Sequence, residues 1–343
     1  MNELHAQIAQ TLEGLQERHG STDAPSVWRQ LEIAEMTAVA VPDGLGGAGG
    51  DWRDACFIAQ CASRLGIGPP VADAAVLGAA LLTAGGMTRP EGLTSTLAEA
   101  PGLVLREVGE TWRVDGHLSR VPYGQYAAHV VVLVDSDEGP RVVVLPRDGW
   151  VVDDVDDLSG DPRAEISVAQ PLPPGTVSAP NVMSSARARS LGALTAVIKS
   201  LGGLERILEL TVSYVNEREQ FGRSLAKFQV VQHLIAELAA ELEAARAVAE
   251  LAMDGDEVTV AFAKVRTGRA VERASAIAHQ LHGAIGFTDE HELHRFTRRV
   301  WAWRDEYGSE FEWADHVGGA VTRTPDGLWP WIVNRLEHSA AGS

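Results

Sequence analysis

Cysteine is nearly missing from this chain: 343 residues hold two, Cys56 and Cys61, five apart in an apolar run. That excludes a disulfide framework and a thiolate metal cluster, and it reads as buried thiols in a reducing compartment. Aromatic residues are also few, at 6%. Alanine is abundant instead, which favours close-packed helices. Positive charge is short. Twenty-nine Lys and Arg face 47 Asp and Glu, for a net charge of −18. A surface of that sign argues against nucleic acid and anionic membranes as partners, while a local arginine can still hold a small anion. No apolar run reaches the length of a bilayer span. The N-terminal MNELHAQIAQTLEGL lacks the hydrophobic centre of a signal peptide, so a cytoplasmic location is expected.

What is present is an ordinary globular composition, 45% apolar and 22% charged, on a chain long enough for two or three structural units. Leu4, Ile8, Leu12 and Leu15, then Val27, Leu31 and Ile33, recur at helical spacing, with a turn at Ser21–Pro25 between the two runs. Gly44, Gly46 and Gly49 then satisfy G-x-G-x-x-G. Pro42–Asp43 intervenes, however, and no alternation of strands with helices follows, so a glycine-rich connection is the better reading than a dinucleotide fold. Residues 51–84 are helical with a break at Gly66–Pro70. From about 93 to 178 valine-rich runs such as WRVDGHLSRV, AHVVVLVDS and PRVVVLPRD read as strands, with turns at Asp115–Gly116 and Ser136–Gly139. Asp153, Asp154, Asp156 and Asp157 do not match a calcium loop and read as a solvated acidic loop. Long helices are predicted over 186–216, 225–253, 257–282 and from Glu290 to about Val317. The expected architecture is α+β and mainly α. It comprises an N-terminal helical domain (1–92), a small β-barrel-like domain (93–180) and a C-terminal four-helix bundle (181–343).

Two stretches carry chemistry. Tyr214–Gln232 reads YVNEREQFGRSLAKFQVVQ and puts Arg218, Phe221 and Gly222 at the junction of two helices. Gln280–Thr288 reads QLHGAIGFT and puts Gly283, Ala284 and Gly286 after a third. An arginine at a helix end, beside small residues that open backbone N–H groups to approach, suits a phosphate-bearing cofactor. The bland alternative for Arg218 is a surface ion pair with Glu217. His279, His282, His291 and His294 form two H-x-x-H pairs. His291–His294 is one residue short of H-E-x-x-H, so a metal site is not predicted; these histidines read as helix-surface residues, His282 near the cofactor.

In this order and spacing the two stretches resemble the R-x-x-F-G and Q-x-x-G-G-x-G motifs of the acyl-CoA dehydrogenase family, and the helical–β–helical order resembles its architecture. The resemblance implies FAD, an acyl-CoA substrate undergoing α,β-dehydrogenation, and cofactor contacts from Arg218, Phe221, Gln229, Gln280, Leu281, Gly283 and Ala284. In the family the first three reach the flavin of the neighbouring subunit. Other features depart. The T-E-P-x-x-G-S-D stretch has no equivalent between Leu93 and Thr111. After the Asp115–Gly116 match to the family's N-G-x-K turn come Ser119, Arg120, Val121 and Pro122, so the family's aromatic and hydroxyl are missing from their places. The family's base position falls on Tyr307, leaving Glu306, one residue off, as the candidate base. Motifs lent to a partner's cofactor survive while those of an own active site are eroded. The chain therefore resembles one subunit of the actinobacterial enzymes built from two unlike chains, acting on bulky or steroid acyl-CoA in catabolism by β-oxidation. The alternatives are a self-sufficient homo-oligomer using Glu306, and a non-enzymatic assembly subunit.

Overall fold

The computed structural model describes residues 3–19, 23–254 and 256–323, with Val333. Ser21, Thr22, Gly255 and the rest of the expected C-terminal domain past 323 lie outside the described residues. The chain divides into two compact units, residues 1–195 and 196–343.

The first unit starts with α1 (Glu3–His19) and α2 (Ala24–Ile33). Ile8, Leu12, Leu15, Val27 and Leu31 form one buried core with Ile58 and Ala62 of α3 (Trp52–Leu65), as the spacing predicts. The outliers are Leu4 and Ile33, which face solvent. α3 is capped at both ends. The Asp51 side chain accepts from Arg53 N–H, and Gly66 closes the helix in the left-handed conformation. The glycine run is indeed a connection between helices. Asp43–Leu45 is a single 3-10 turn, and a Cβ on Gly47 would collide with the carbonyl of Val41. After the Gly66–Pro70 break, α4 (Val71–Asp73), a π turn (Ala74–Gly78) and α5 (Ala79–Gly85) continue as one buried helical stretch.

The valine-rich segment folds as two sheets over one core, where the pattern suggested a barrel-like unit. β1 (Thr94–Leu97), β4 (His129–Val134) and β5 (Arg141–Pro146) form a three-stranded sheet in the order β1-β4-β5. β2 (Leu103–Val108), β3 (Thr111–Pro122), β6 (Val151–Val155) and β7 (Arg163–Leu172) form a four-stranded antiparallel sheet in the order β2-β3-β7-β6. Leu105, Val114, Leu118, Val130, Val132, Val143, Leu145 and Ile166 interdigitate between them. Two expectations fail here. Asp115–Gly116 is no turn. It lies mid-strand in β3, paired with Leu103–Val104, and Gly116 (φ 138°) is needed because a Cβ would strike the Gly102 carbonyl. Nor are all four aspartates a solvated loop. Asp153 and Asp154 sit in edge strand β6; Asp156 is exposed in the connection that follows, as expected, but the Asp157 side chain there is buried, receiving Arg120 and the N–H of Ser159. Ser136–Gly139 is the predicted turn, closed by Gly139 N–H on Ser136 O.

α6 (Ser185–Glu217) leads through the division between the units. In the second unit it is followed by α7 (Gln229–Met253) and α8 (Glu257–His282), the latter capped by Asp256. Val231, Leu238, Leu242 and Ala245 of α7 are buried as their spacing predicts. The charged face of α7 is not idle: Glu241 pairs with Arg266 of α8, and Arg246 with Glu205 of α6, both at 2.7 Å. Small residues let the helices close up, since a Cβ on Gly203 would meet Val300 at 2.4 Å. The expected fourth helix is two, α9 (Leu293–Asp305) and α10 (Glu310–Thr322). The break has a local cause. Tyr307 and Gly308 take positive φ (59° and 117°), and Ser309 and Glu312 form a capping box that starts a new helix.

Candidate functional site

Both motif stretches fall at one end of the helical unit, where α6 and α8 finish. Contact between them is direct. The Tyr214 ring stacks on His282 (4.4 Å, 19°), and its hydroxyl donates to the His282 carbonyl at 3.3 Å.

From α6 the backbone passes through Arg218, whose N–H donates to Tyr214 O, into a minimal hairpin of β8 (Glu219–Gln220) and β9 (Arg223–Ser224). Gln220 pairs with Arg223, so Phe221 and Gly222 are the two turn residues, both at positive φ (54° and 77°). A two-residue hairpin turn demands that conformation, and glycine takes it without cost. Phenylalanine does not, yet Phe221 holds it with 91% of its surface exposed. Phe228 meets the ring edge-on at 6.2 Å, and the Arg223 guanidinium lies 4.1 Å over Phe228. Arg218 is exposed and, among the described residues, makes no ion pair, so the bland reading through Glu217 does not hold. Glu217 instead accepts from Ser213. Gln229 is exposed at the first position of α7.

α8 ends at His282. Gly283 (φ 64°, ψ −143°) occupies backbone space that is essentially glycine's alone, with open space where a Cβ would project. A 3-10 turn, Gly283–Phe287, follows. Ala284, which stands where the family motif has glycine, is exposed and not among the positive-φ residues, so alanine fits without strain. Gln280 is exposed and Leu281 half-buried. A guanidinium with no ion pair among the described residues, an exposed ring and an exposed glycine-led turn, at one end of one unit, suit an anionic ligand with flat aromatic parts, such as a dinucleotide.

The histidines are largely not surface residues. His282 is 4% exposed, and burial pushes it down to about 4. Its Nδ1–H donates to Ala278 O at 2.8 Å, and His291 meets its ring edge-on at 4.6 Å. His279 contacts Thr297 Oγ1 at 3.0 Å and stacks under Phe287 (4.2 Å); burial lowers its pKa too. His294 Nδ1 donates to His291 O.

Glu306 is not part of this constellation. It follows α9, about 18 Å of helix from the His291 end. Its Oε2 lies 2.6 Å from Lys199 Nζ, and the Lys199 ammonium is 5.7 Å from the Trp303 ring centroid. Beside them Lys264, buried, donates to the carbonyls of Trp303 (3.2 Å) and Arg304 (2.7 Å). Burial pushes Lys264 down to about 7 against the opposing pull of Glu306. Sequence reasoning missed both lysines. Their signal was position: Lys264 shares the apolar face of Val260, Thr267 and Val271.

Residues 187–309 match the model of the acyl-CoA dehydrogenase C-terminal domain. The chain is 30% identical over 278 residues to acyl-CoA dehydrogenase IpdE2 of Mycobacterium tuberculosis, covering 80% of each chain. It is 24% identical to IpdE2 of Mycolicibacterium smegmatis, over 88% of this chain and 93% of the relative. Among solved structures it is similar in fold to a chain of the ChsE4-ChsE5 complex of M. tuberculosis (TM-score 0.82, 19% identity, 95% and 99% of the two chains). It is also similar to a Tcur3481-Tcur3483 steroid ACAD (TM-score 0.73, 23% identity, 93% and 97%).

Proposed function

Since the chain belongs to the acyl-CoA dehydrogenase family, we propose that it is a subunit of an FAD-dependent enzyme that α,β-dehydrogenates an acyl-CoA thioester, and that its motif-bearing bundle end completes the flavin site of an unlike partner subunit. The observation that carries this reading is Phe221. A chain that stood alone would gain nothing by holding a phenylalanine 91% exposed in a left-handed hairpin turn beside an arginine with no ion-pair partner among the described residues. A partner surface and an anionic cofactor give both a use. The ChsE4-ChsE5 neighbour, itself a complex of two named chains, and the steroid ACAD support a partner of the same family and a bulky or steroid acyl group.

In this reading Arg218 binds phosphate oxygens, the amides of the Gly283–Phe287 turn add donors, and Phe221, Gln229, Gln280 and Leu281 line the approach. Bound flavin would take the hydride from the acyl β carbon. The base that removes the α proton needs an accessible carboxylate near that carbon. Glu306 is held by Lys199 at 2.6 Å and serves here as that buried lysine's half-buried counter-ion, so the partner supplies the base. The experiment is co-expression with an unlike acyl-CoA dehydrogenase chain. The pair is expected to purify as a hetero-oligomer that carries FAD and is bleached by its acyl-CoA. Equimolar FAD on this chain alone, reduced by an acyl-CoA, would overturn the proposal.

A further inference from the structure

The Gly283–Phe287 turn is a short 3-10 element, tied at its ends by Gly283 N–H on His279 O and Thr288 N–H on Ile285 O. It packs directly on what lies underneath. Donation from His282 Nδ1 to Ala278 O sets the tautomer and leaves Nε2 as an acceptor; that nitrogen is buried and finds no hydrogen-bond partner among the described residues. The ring is therefore held by its faces. Tyr214 of α6 lies flat on it, His291 meets its edge, and a Cβ on Gly286 would touch its own Cβ at 3.0 Å, so the turn folds directly over it. Tyr214 also grips the backbone. Its hydroxyl reaches the His282 carbonyl, one peptide before the glycine that opens the turn. Its own carbonyl accepts the N–H of Arg218 at 2.8 Å. One residue thus touches both motifs, which lie more than sixty positions apart.

We infer that Tyr214 and His282 are positioning residues of the cofactor site: their stack couples the Arg218 hairpin to the Gly283 turn and sets the distance between the cation and the backbone donors. The inference rests on the proposed function for its ligand, and on the geometry alone for the coupling. Neither side chain is assigned any contact with the cofactor. Both act through residues that have one. A buried aromatic pair that merely filled space would stabilise the bundle without tying the hairpin to the turn.

The test uses the co-expressed complex and the chain by itself. Tyr214→Leu removes the stack and the hydroxyl, Tyr214→Phe removes only the hydroxyl, and His282→Phe keeps an aromatic ring but loses the Nδ1 donor. In the complex, Y214L is expected to weaken FAD binding about tenfold or more and Y214F about threefold, with KM for acyl-CoA unchanged. In the isolated chain, amide exchange in Y214L is expected to rise together at residues 219–225 and 283–288, and Y214F is expected to restore most of the protection. Should Y214L and H282F lower the melting temperature while FAD affinity and exchange at both segments stay at wild-type values, the pair is packing only and the inference fails. If the wild-type complex carries no FAD, the proposed function fails with it. If FAD is bound and is lost on Arg218→Ala but not on Y214L, only this inference is overturned.

Discussion

Changing Glu306 to glutamine is expected to cost stability, not chemistry. The carboxylate sits 2.6 Å from a lysine whose residue is 4% exposed, inside a bundle where the buried Lys264 also feels its charge. Glutamine keeps the shape and removes the charge, so the buried Lys199 loses the Glu306 carboxylate. Breaking a buried pair in that way costs about 3–5 kcal/mol. The Glu306 side chain is 18% exposed, and some solvent reaches the site, so about 2–3 kcal/mol is the reasoned figure. At about 2.1 cal/mol/K per residue over 343 residues, 1 kcal/mol shifts melting by about 1.4 °C, so melting should fall by roughly 3–4 °C. Removing both charges, as in Lys199→Met with Glu306→Leu, should recover most of that loss, because an apolar pair of similar volume needs no desolvation. The assay is thermal unfolding of the three variants beside turnover of each co-expressed complex, which should stay within about threefold of wild type for E306Q, far from the ~10²–10⁴-fold loss expected of a missing general base. A variant that melts like wild type while turnover collapses by that larger factor would refute the reasoning and make Glu306 the base.

Lys264 sets a pH signature. Its pKa falls from 10.5 to about 7 in the fold, so between those values the unfolded chain holds a proton that the folded chain has shed. Stability should therefore rise as pH goes from about 7 to about 10.5, by on the order of 4 kcal/mol over the whole window. The neutral amine still has two N–H donors for the two carbonyls it caps. Denaturant unfolding at pH 7 and pH 9 checks the slope, which Lys264→Met should flatten. His282 gives an acidic window of the same sign. Tyr214 of α6, His279 of its own helix and His291 beyond the turn face it, and none is an anion, so its imidazole stays neutral in the fold. Stability is full above about 6.5 and should fall as pH drops towards 4, a loss that acid unfolding of His282→Phe should largely lack. Finally, Phe221→Ala should weaken the unlike pair by about 1–3 kcal/mol, roughly 5- to 150-fold in Kd, and leave the isolated chain's melting point unchanged or higher. A titration of the two chains reads it, and an unchanged Kd would remove Phe221 from the interface.

Much of the fold was legible because periodicity carries it. The α7 stripe through Val231, Leu238, Leu242 and Ala245 is buried where a 3.6-residue repeat puts it, and the valine runs at 129–134 and 141–146 are strands. What escaped was decided by contacts that no local pattern encodes. Asp115–Gly116 has turn chemistry, but the chain needs its glycine for the approach of the Gly102 carbonyl, in the turn just before the neighbouring strand β2. The α9–α10 break looked helical on both sides, and only the left-handed Tyr307–Gly308 pair and the Ser309 cap divide it. The site follows the same division. Arg218, Phe221 and Gly283 were visible as spaced residue types, whereas the stack of Tyr214 on His282 joins residues 68 apart and has no signature along the chain. Glu306 looked available in sequence because Lys199, over a hundred positions earlier, could not be seen beside it.

In the proposed function, Arg218 grips a cofactor that the partner also holds. The most direct test of this grip is the flavin absorbance of the purified unlike pair with Arg218→Ala in this chain. The pair should still form, and FAD per pair should drop well below the wild-type ratio. An R218A pair that keeps its full complement of FAD, equally tightly bound, would contradict the claim.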